Sequence, residues 1–317
     1  MLELATPQRP TPLRVANLAK SYGGRRGVSD VSFSVASGSI TGFIGVNGAG
    51  KSTTLKAIVG LITPDGGSVD LFGQPASFAT RARLGFLPEE RGLTPRERAR
   101  DAIAFHARLK GLPRQAAYRR ADELLERIGL SGRTRARIGE LSKGNAQRVQ
   151  ILCAIAHDPS LLILDEPFSG LDPIAQAEVQ SLFSEFRSQG GAILFSTHSM
   201  AVAERLCDHV VIMSDGRTVF EGAVAEAASH APHGVYVTIN DDAALLEVVR
   251  ALGGEAQAFP SKISDALRWR VLLPTNIGYP VLMRALADRE LVVHGFEPIQ
   301  ADLEGAFWTL AGRRAAA

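Results

Sequence analysis

Residues 45–52, read as Gly45, Val46, Asn47, Gly48, Ala49, Gly50, Lys51 and Ser52, constrain this chain more than any other segment. The pattern is GxxxxGK[ST]. Its glycines let backbone N–H groups turn inward around a phosphate, and a helix starting at its end aims a positive N-terminus at the same anion. Lys51 then brings a point charge to the β- and γ-phosphates of a nucleotide, and Ser52 brings a hydroxyl to Mg²⁺. This chemistry needs a strand before the loop and a helix after it. Residues 39–44 (SITGFI) have the β-branched, apolar character of a buried strand, and residues 53–61 (TTLKAIVGL) have helical spacing.

A second segment suits the same site. Residues 161–164 (LLIL) form an apolar strand that ends in Asp165 and Glu166. Asp165 suits Mg²⁺, directly or through water, and Glu166 suits the polarisation of a water that attacks the γ-phosphate. An apolar run followed by Asp-Glu is common by itself; its force comes from the pairing with Lys51.

The 317 residues suffice for one large α/β domain and a smaller one. A hydrophobic content of 45% and a formal charge of +2 describe an ordinary globular protein. The longest uncharged run, residues 31–50, contains five glycines and four serines and ends in the loop, which excludes a membrane span. Residues 1–12 form an N-terminal extension without the profile of a secretory signal, so a cytoplasmic location is expected. Two cysteines, Cys153 and Cys207, are too few for a disulfide framework and lack metal-ligand spacing, so both are expected to be free, buried thiols. Charge is concentrated between Arg81 and Arg137, with 15 Arg or Lys against 7 Asp or Glu. Such a patch suits nucleic acid, anionic lipid, an acidic partner or a merely solvated helical face, and it lacks the aromatic residues of a single-strand reader.

Strands are predicted at residues 13–18, 31–35 and 68–73, with a turn around Gly23, Gly24 and Gly27. Two helical stripes follow, one through Ala102, Phe105, Leu109 and Leu112, the other through Ala117, Ala121, Leu124, Leu125 and Ile128. They read as a helical insertion, about 89–145, within an α/β domain spanning 13–223. Short apolar strands at 161–164, 192–195 and 210–213 alternate with helices at 144–156 and 173–188, as in a parallel sheet. Residues 224–317 read as a small C-terminal α/β domain in the order βαβαβα, with strands at 235–239, 267–273 and 291–294 and helices at 243–252, 279–287 and 301–310.

Residues 13–223 resemble the ATP-binding cassette (ABC) family, a branch of the P-loop NTPases. Leu141, Ser142, Lys143, Gly144 and Asn145 are similar to its signature motif and lie so that Ser142 is 23 residues before Asp165. Ser169, Gly170, Leu171 and Asp172 are similar to its D-loop. Ser196, Thr197 and His198 are similar to its switch region, and Tyr22 stands where the family places an adenine-stacking aromatic. The resemblance implies that two cassettes pack head to tail, so that Ser142, Lys143, Gly144 and Asn145 of one meet the nucleotide held by Gly45, Asn47, Gly48, Ala49, Gly50, Lys51, Ser52 and Thr53 of the other. It implies ATP and Mg²⁺ as cofactors, with Ser52, Asp165 and Glu89 near the metal. It also implies catalytic parts for Glu166, His198, Lys51 and Glu89, and a link between the two sites through Ser169 and Asp172.

Three positions in two motifs depart from the family pattern. Glu89 follows Leu87 and Pro88 where Gln is usual, and Lys143 and Asn145 replace Gly and Gln in the signature. The strings LPEERGL (87–93) and LSKGNAQRVQ (141–150) resemble the sodium-extrusion type of bacterial exporter ATPases, and the segment 297–310, which contains DLEGAF, is similar to the small C-terminal domain those subunits carry. The expectation is an ATP-hydrolysing subunit, peripheral on the inner face of the membrane, that drives transmembrane permease subunits as an exporter of sodium or small molecules. Its second cassette is an identical copy or a paralogue, and nucleic acid is not expected as a partner. The competing class is a soluble cassette ATPase acting on nucleic acid or ribosomes. Only 91 residues separate Lys51 from Ser142, which leaves no room for the long coiled coil of chromosome-organising relatives.

Overall fold

The computed structural model describes residues 11–23, 25–90, 92–259 and 267–312. The first ten residues of the N-terminal extension, Gly24 of the predicted turn and Arg91 of the LPEERGL string lie outside them. The chain divides into two compact units, residues 1–224 and 225–317.

The first unit opens with β1 (Leu13–Tyr22), β2 (Arg25–Val35) and β3 (Ile40–Ile44), then α1 (Lys51–Val59), β4 (Gly66–Leu71), β5 (Gln74–Pro75), α2 (Phe78–Arg81) and β6 (Leu84–Leu87). The helical insertion carries α3 (Ala99–Leu109) and α4 (Arg114–Arg127) and leads into α5 (Lys143–Ile155). The unit continues with β7 (Leu161–Leu164), α6 (Pro173–Ser188), β8 (Ala192–Thr197), α7 (Met200–Leu206), β9 (His209–Ser214) and β10 (Arg217–Ala223), and α8 (Val224–Ala228) follows.

Among the described residues its strands form one sheet in the order β5-β4-β1-β2-β10-β9-β3-β8-β7-β6. The β3, β8, β7 and β6 portion is parallel, and β3, β7 and β8 are buried at every position, as expected where helices cover both faces. Register decides what this does for function. Ile44 lies opposite Thr197, Phe195 opposite Leu164, and Leu164 opposite Leu87. The C-terminal ends of four strands therefore share one edge, which is where ligands bind in open α/β sheets. The segments that leave that edge begin with Gly45, Pro88, Asp165 and His198.

In the insertion, Ala117, Ala121, Leu124, Leu125 and Ile128 are buried as their spacing predicts. The other stripe is corrected in part: Ala102 is buried and Leu112 packs against the core as its spacing predicts. Phe105 and Leu109 are 50% and 65% exposed, and α3 instead buries Ala99, Ala102, Ile103, Ala104 and Ala107. Small side chains on that face let helices approach closely, and the large ones are left outside.

His157, just beyond α5, is hydrogen-bonded through Nε2 to Leu84 O at 3.1 Å, and its Nδ1 is buried without a partner among the described residues. Burial, reinforced by the Lys110 ammonium, pushes its pKa down to about 4. The folded chain therefore holds fewer protons than the unfolded chain between the unfolded value near 6.5 and about 4. Stability is full above that window and is lost as pH falls through it. His106 shifts in the same direction for the same reason. Thermal melts at pH 7.5 and 5 should show a drop in Tm that H157Q reduces; equal drops in both proteins would remove His157 as a contributor.

The second unit comprises β11 (Gly234–Ile239), α9 (Asp242–Ala251), β12 (Glu255–Phe259), β13 (Leu267–Leu272), α10 (Tyr279–Ala287), β14 (Val293–Pro298) and α11 (Leu303–Leu310). The expected βαβαβα order is corrected to βαββαβα, because residues 255–259 form a strand that the sequence pattern did not suggest. The antiparallel sheet runs β12-β13-β11-β14, the split βαβ arrangement of ferredoxin-like folds. Val235, Val237, Val271 and Trp269 on one face of the sheet share a core with Leu245, Val249, Leu282 and Leu286 of α9 and α10.

Cys153 and Cys207 are free thiols; Cys153 is buried, whereas Cys207 is partly buried rather than fully so. Burial pushes both thiols up, so neither ionises readily.

Candidate nucleotide site

The loop between β3 and α1 has the backbone its glycines permit. Gly48 and Gly50 have φ of 85° and 100°, and a Cβ on Gly50 would lie 2.5 Å from Val28 Cγ1. Gly45 is confined as well, since a Cβ there would lie 2.9 Å from Met213 O. Ala49 is buried on the inner side of the loop and its N–H donates to Val46 O at 3.1 Å. Lys51 opens α1 and is buried, with Nζ donating to Gly45 O at 2.6 Å and Val46 O at 3.3 Å, so the ammonium crosses the mouth of the loop. Burial lowers its pKa, while the carboxylates of Glu166, Asp165 and Glu89 oppose that shift. Three carboxylates thus surround one ammonium.

A cavity of about 420 Å³ at this edge is lined by Tyr22, Gly27, Asn47, Gly48, Gly50, Lys51, Ser52, Thr53, Glu89, Asp165 and Glu166. Tyr22 ends β1 and is 46% exposed on the rim. Asp165 is buried at the end of β7; its backbone N–H donates to Leu87 O at 2.9 Å, and its carboxylate accepts from Ser196 Oγ. The same Ser196 oxygen accepts from the backbone N–H of Glu166 at 2.9 Å. One hydroxyl therefore sets the position of both acidic residues. Glu166 has φ of 48°, a left-handed conformation that a non-glycine residue adopts at a cost of order 1–3 kcal/mol. Its Oε1 lies 2.9 Å from His198 Nδ1. His198 does not line the cavity and reaches it through Glu166.

Glu89 lies on the exposed side of the cavity, and the chain around it is pinned by Gln150, whose Nε2 donates to Pro88 O at 3.4 Å and Glu90 O at 3.3 Å. Gln147 likewise donates to Pro167 O at 3.3 Å. Sequence reasoning missed both glutamines and the double role of Ser196. The signal available was their place on α5, four residues after Lys143 and three further on, facing the two loops that leave β6 and β7.

The signature residues are elsewhere. Ser142 caps α5, accepting from Asn145 N at 3.2 Å, and Ser142, Lys143, Gly144 and Asn145 line a separate cavity of about 380 Å³ with Gly170 and Asp172. Asp172 caps α6 by accepting from Ala175 N at 2.9 Å. Ser169 is exposed, and its N–H donates to the backbone carbonyl of Glu166 at 3.1 Å, which ties this loop to the main chain of a residue that lines the first cavity. The two cavities share no lining residue.

Among the described residues no group of three or more His, Cys, Asp or Glu forms a metal site by itself. Ser52, Asp165 and Glu89 on one cavity wall instead match the sparse protein set that Mg²⁺ uses when phosphates and water supply its other oxygens.

A loop of this shape at the C-terminal edge of a parallel sheet, with a buried lysine and an aspartate at the end of β7, two places along the sheet from β3, defines a nucleotide-binding P-loop protein. Residues 28–169 match the ABC transporter family model. The chain is 36% identical over 236 residues to the uncharacterized ABC transporter ATP-binding protein YhaQ of Bacillus subtilis, covering 74% of this chain and 79% of that one. It is 39% identical over 215 residues to the Nod factor export ATP-binding protein I of Burkholderia orbicola, covering 67% and 71%. A solved ATP-binding subunit of an ABC transporter superimposes with a TM-score of 0.65 at 35% identity, over 69% of this chain and 92% of that one. The chain belongs to the ABC transporter family and is an ATP-binding subunit, with the ATP hydrolysis expected of these cassettes.

Proposed function

We propose that this chain is the ATP-driven motor of an exporter, working on transmembrane permease subunits and paired with a second cassette. The observation that carries this reading is the separation of the two cavities. Nucleotide-gripping groups and signature groups occupy different places on one chain, so a site containing both needs a second cassette facing the first.

In that assembly Lys51 and the backbone of residues 47–51 hold the triphosphate and Tyr22 stacks on the base. Ser52 and Asp165, with Glu89, would hold Mg²⁺, which would neutralise phosphate charge. Glu166 takes a proton from the attacking water, and His198, hydrogen-bonded to Glu166, faces the γ-phosphate. Ser142 and the Gly144 N–H of the opposite cassette complete the phosphate shell, and Ser169 and Asp172 join the two sites. ATP favours the closed pair because it makes contacts there that the open form lacks.

Several features support membrane coupling. Among the described residues no helix is long and apolar enough to cross a membrane, so a motor role requires other spanning subunits. Phe78, Phe105 and Leu109 are 93%, 50% and 65% exposed. The Lys110 ammonium, donating to Arg81 O and Leu84 O, holds the end of α3 beside α2, so these apolar groups belong to one neighbourhood that a permease's cytoplasmic helix can cover. The export direction rests on the relatives named for Nod factor export and on the LPEERGL and LSKGNAQRVQ strings; sodium or a small organic molecule is the proposed cargo.

The basic stretch gives the nucleic-acid alternative little. Arg100 pairs with Asp122, Arg120 with Asp158, and Arg127 with Glu185. Purification of the tagged chain in mild detergent should bring down an integral membrane protein, and ATP should shift the chain toward a pair of cassettes. A chain that remains solitary under both conditions contradicts the proposal.

A further inference from the structure

The second unit contains a cavity of about 660 Å³ that the ATPase reading leaves unused. It lies on the sheet face opposite α9 and α10, beside α11. Two arginines of β13, Arg268 and Arg270, point to this face by the two-residue period of a strand. They differ sharply in their surroundings. Arg268 pairs with Glu297 at 2.6 Å and lies over the Tyr236 ring at 4.5 Å. Arg270 has no ion pair among the described residues, and its buried Nε has no hydrogen-bond partner there. A buried donor left without an acceptor carries a desolvation cost, which an acceptor on a ligand would relieve.

Arg270 faces the cavity together with Trp308, Leu272, Gln257, Glu255 and Thr309. The indole of Trp308 is 40% exposed, unlike the other tryptophan, Trp269, which is buried and donates to Asp242 Oδ1 at 2.8 Å. One cation, one open indole face, an adjoining leucine and neutral hydrogen-bonding groups form a small-molecule site in the usual size range, roughly 300–1,000 Å³. Glu255 limits the charge of the occupant. It pairs with Leu272 across β12 and β13 while Gln257 pairs with Arg270, which makes Glu255 and Arg270 diagonal neighbours on the same face of the sheet. That arrangement tolerates one negative charge on a ligand and resists two.

We propose that this face of the C-terminal unit binds a small aromatic monocarboxylate, with Arg270 gripping the carboxylate and Trp308 stacking on the ring. The guanidinium fork matches a carboxylate bidentately, and the flat body covers the indole and Leu272. Phosphate monoesters, being dianionic, are disfavoured by Glu255. The proposal is independent of the cassette site and of the export assignment.

The test uses the full chain with saturating ATP, so that the cassette cavity is filled, and calorimetric titration with indole-3-acetate and its neutral counterpart indole-3-acetamide. The acid should bind with a Kd of about 1 mM or tighter, and the amide at least about tenfold more weakly. R270Q should bring the acid to the level of the amide with an unchanged circular dichroism spectrum, since among the described residues Arg270 forms no ion pair and its Nε no hydrogen bond. W308A should weaken both ligands, which provides an independent reading should R270Q misfold. E255Q should tighten the acid. Equal affinity of acid and amide, an R270Q chain that binds like the wild type, or the absence of saturable heat overturns the proposal, and displacement by inorganic phosphate overturns the monocarboxylate class.

Discussion

Lys51→Ala raises the Kd for ATP by about 10²-fold, the cost of truncating one partner of a desolvated charge pair, roughly 3 kcal/mol. The effect has two sources. The ammonium that crosses the loop mouth no longer meets the β- and γ-phosphates. The carboxylates of Glu166, Asp165 and Glu89, which this ammonium now offsets, also repel the incoming triphosphate without opposition. Equilibrium titration with a fluorescent ATP analogue measures the change, with circular dichroism to show that the fold persists. An affinity within about threefold of wild type would mean that Lys51 does not face phosphate.

Glu166→Gln separates binding from chemistry. Glutamine keeps an oxygen for the His198 contact and is no worse suited to the left-handed backbone, so the cavity should retain its shape. It cannot take the proton of the attacking water. Turnover should fall by roughly 10² to 10⁴-fold while nucleotide affinity stays near wild type. If ATP bridges two cassettes as proposed, the same variant should remain paired in ATP far longer than the wild type on a sizing column. Unchanged turnover would move the base elsewhere, and Glu89, on the same cavity, is the next candidate.

The parts of the fold that the sequence declared were those in which pattern and environment agree. LLIL at 161–164 is buried at every position and is a strand at those bounds, and Pro173–Ser188 begins with a capping aspartate and a proline and is a helix throughout. The 45–52 loop belongs to this group, because its glycines are required by backbone angles and close contacts rather than by composition. What remained hidden depended on partners. Residues 255–259, EAQAF, have little strand propensity and become β12 by pairing with β13. The phase of α3 was misread because Phe105 and Leu109 outweigh alanine in any hydrophobic count, whereas the helix buries alanines to reach its neighbours. At the candidate site the motifs located the residues, but not the pins that hold them. Ser196, which steers two acids, is set beside them by the parallel register of β7 and β8, and Gln147 and Gln150 anchor two loops from α5, a helix packed beside those strands.

The disjoint placement of the two cavities has a stoichiometric consequence. If the second cassette is another copy of this chain, a dyad axis generates two complete pockets simultaneously, and each is built from both polypeptides. A lesion in either half of one copy then spoils one pocket and spares the other. Rotation by half a turn also uses up every matching surface, so growth stops at two copies and no filament follows.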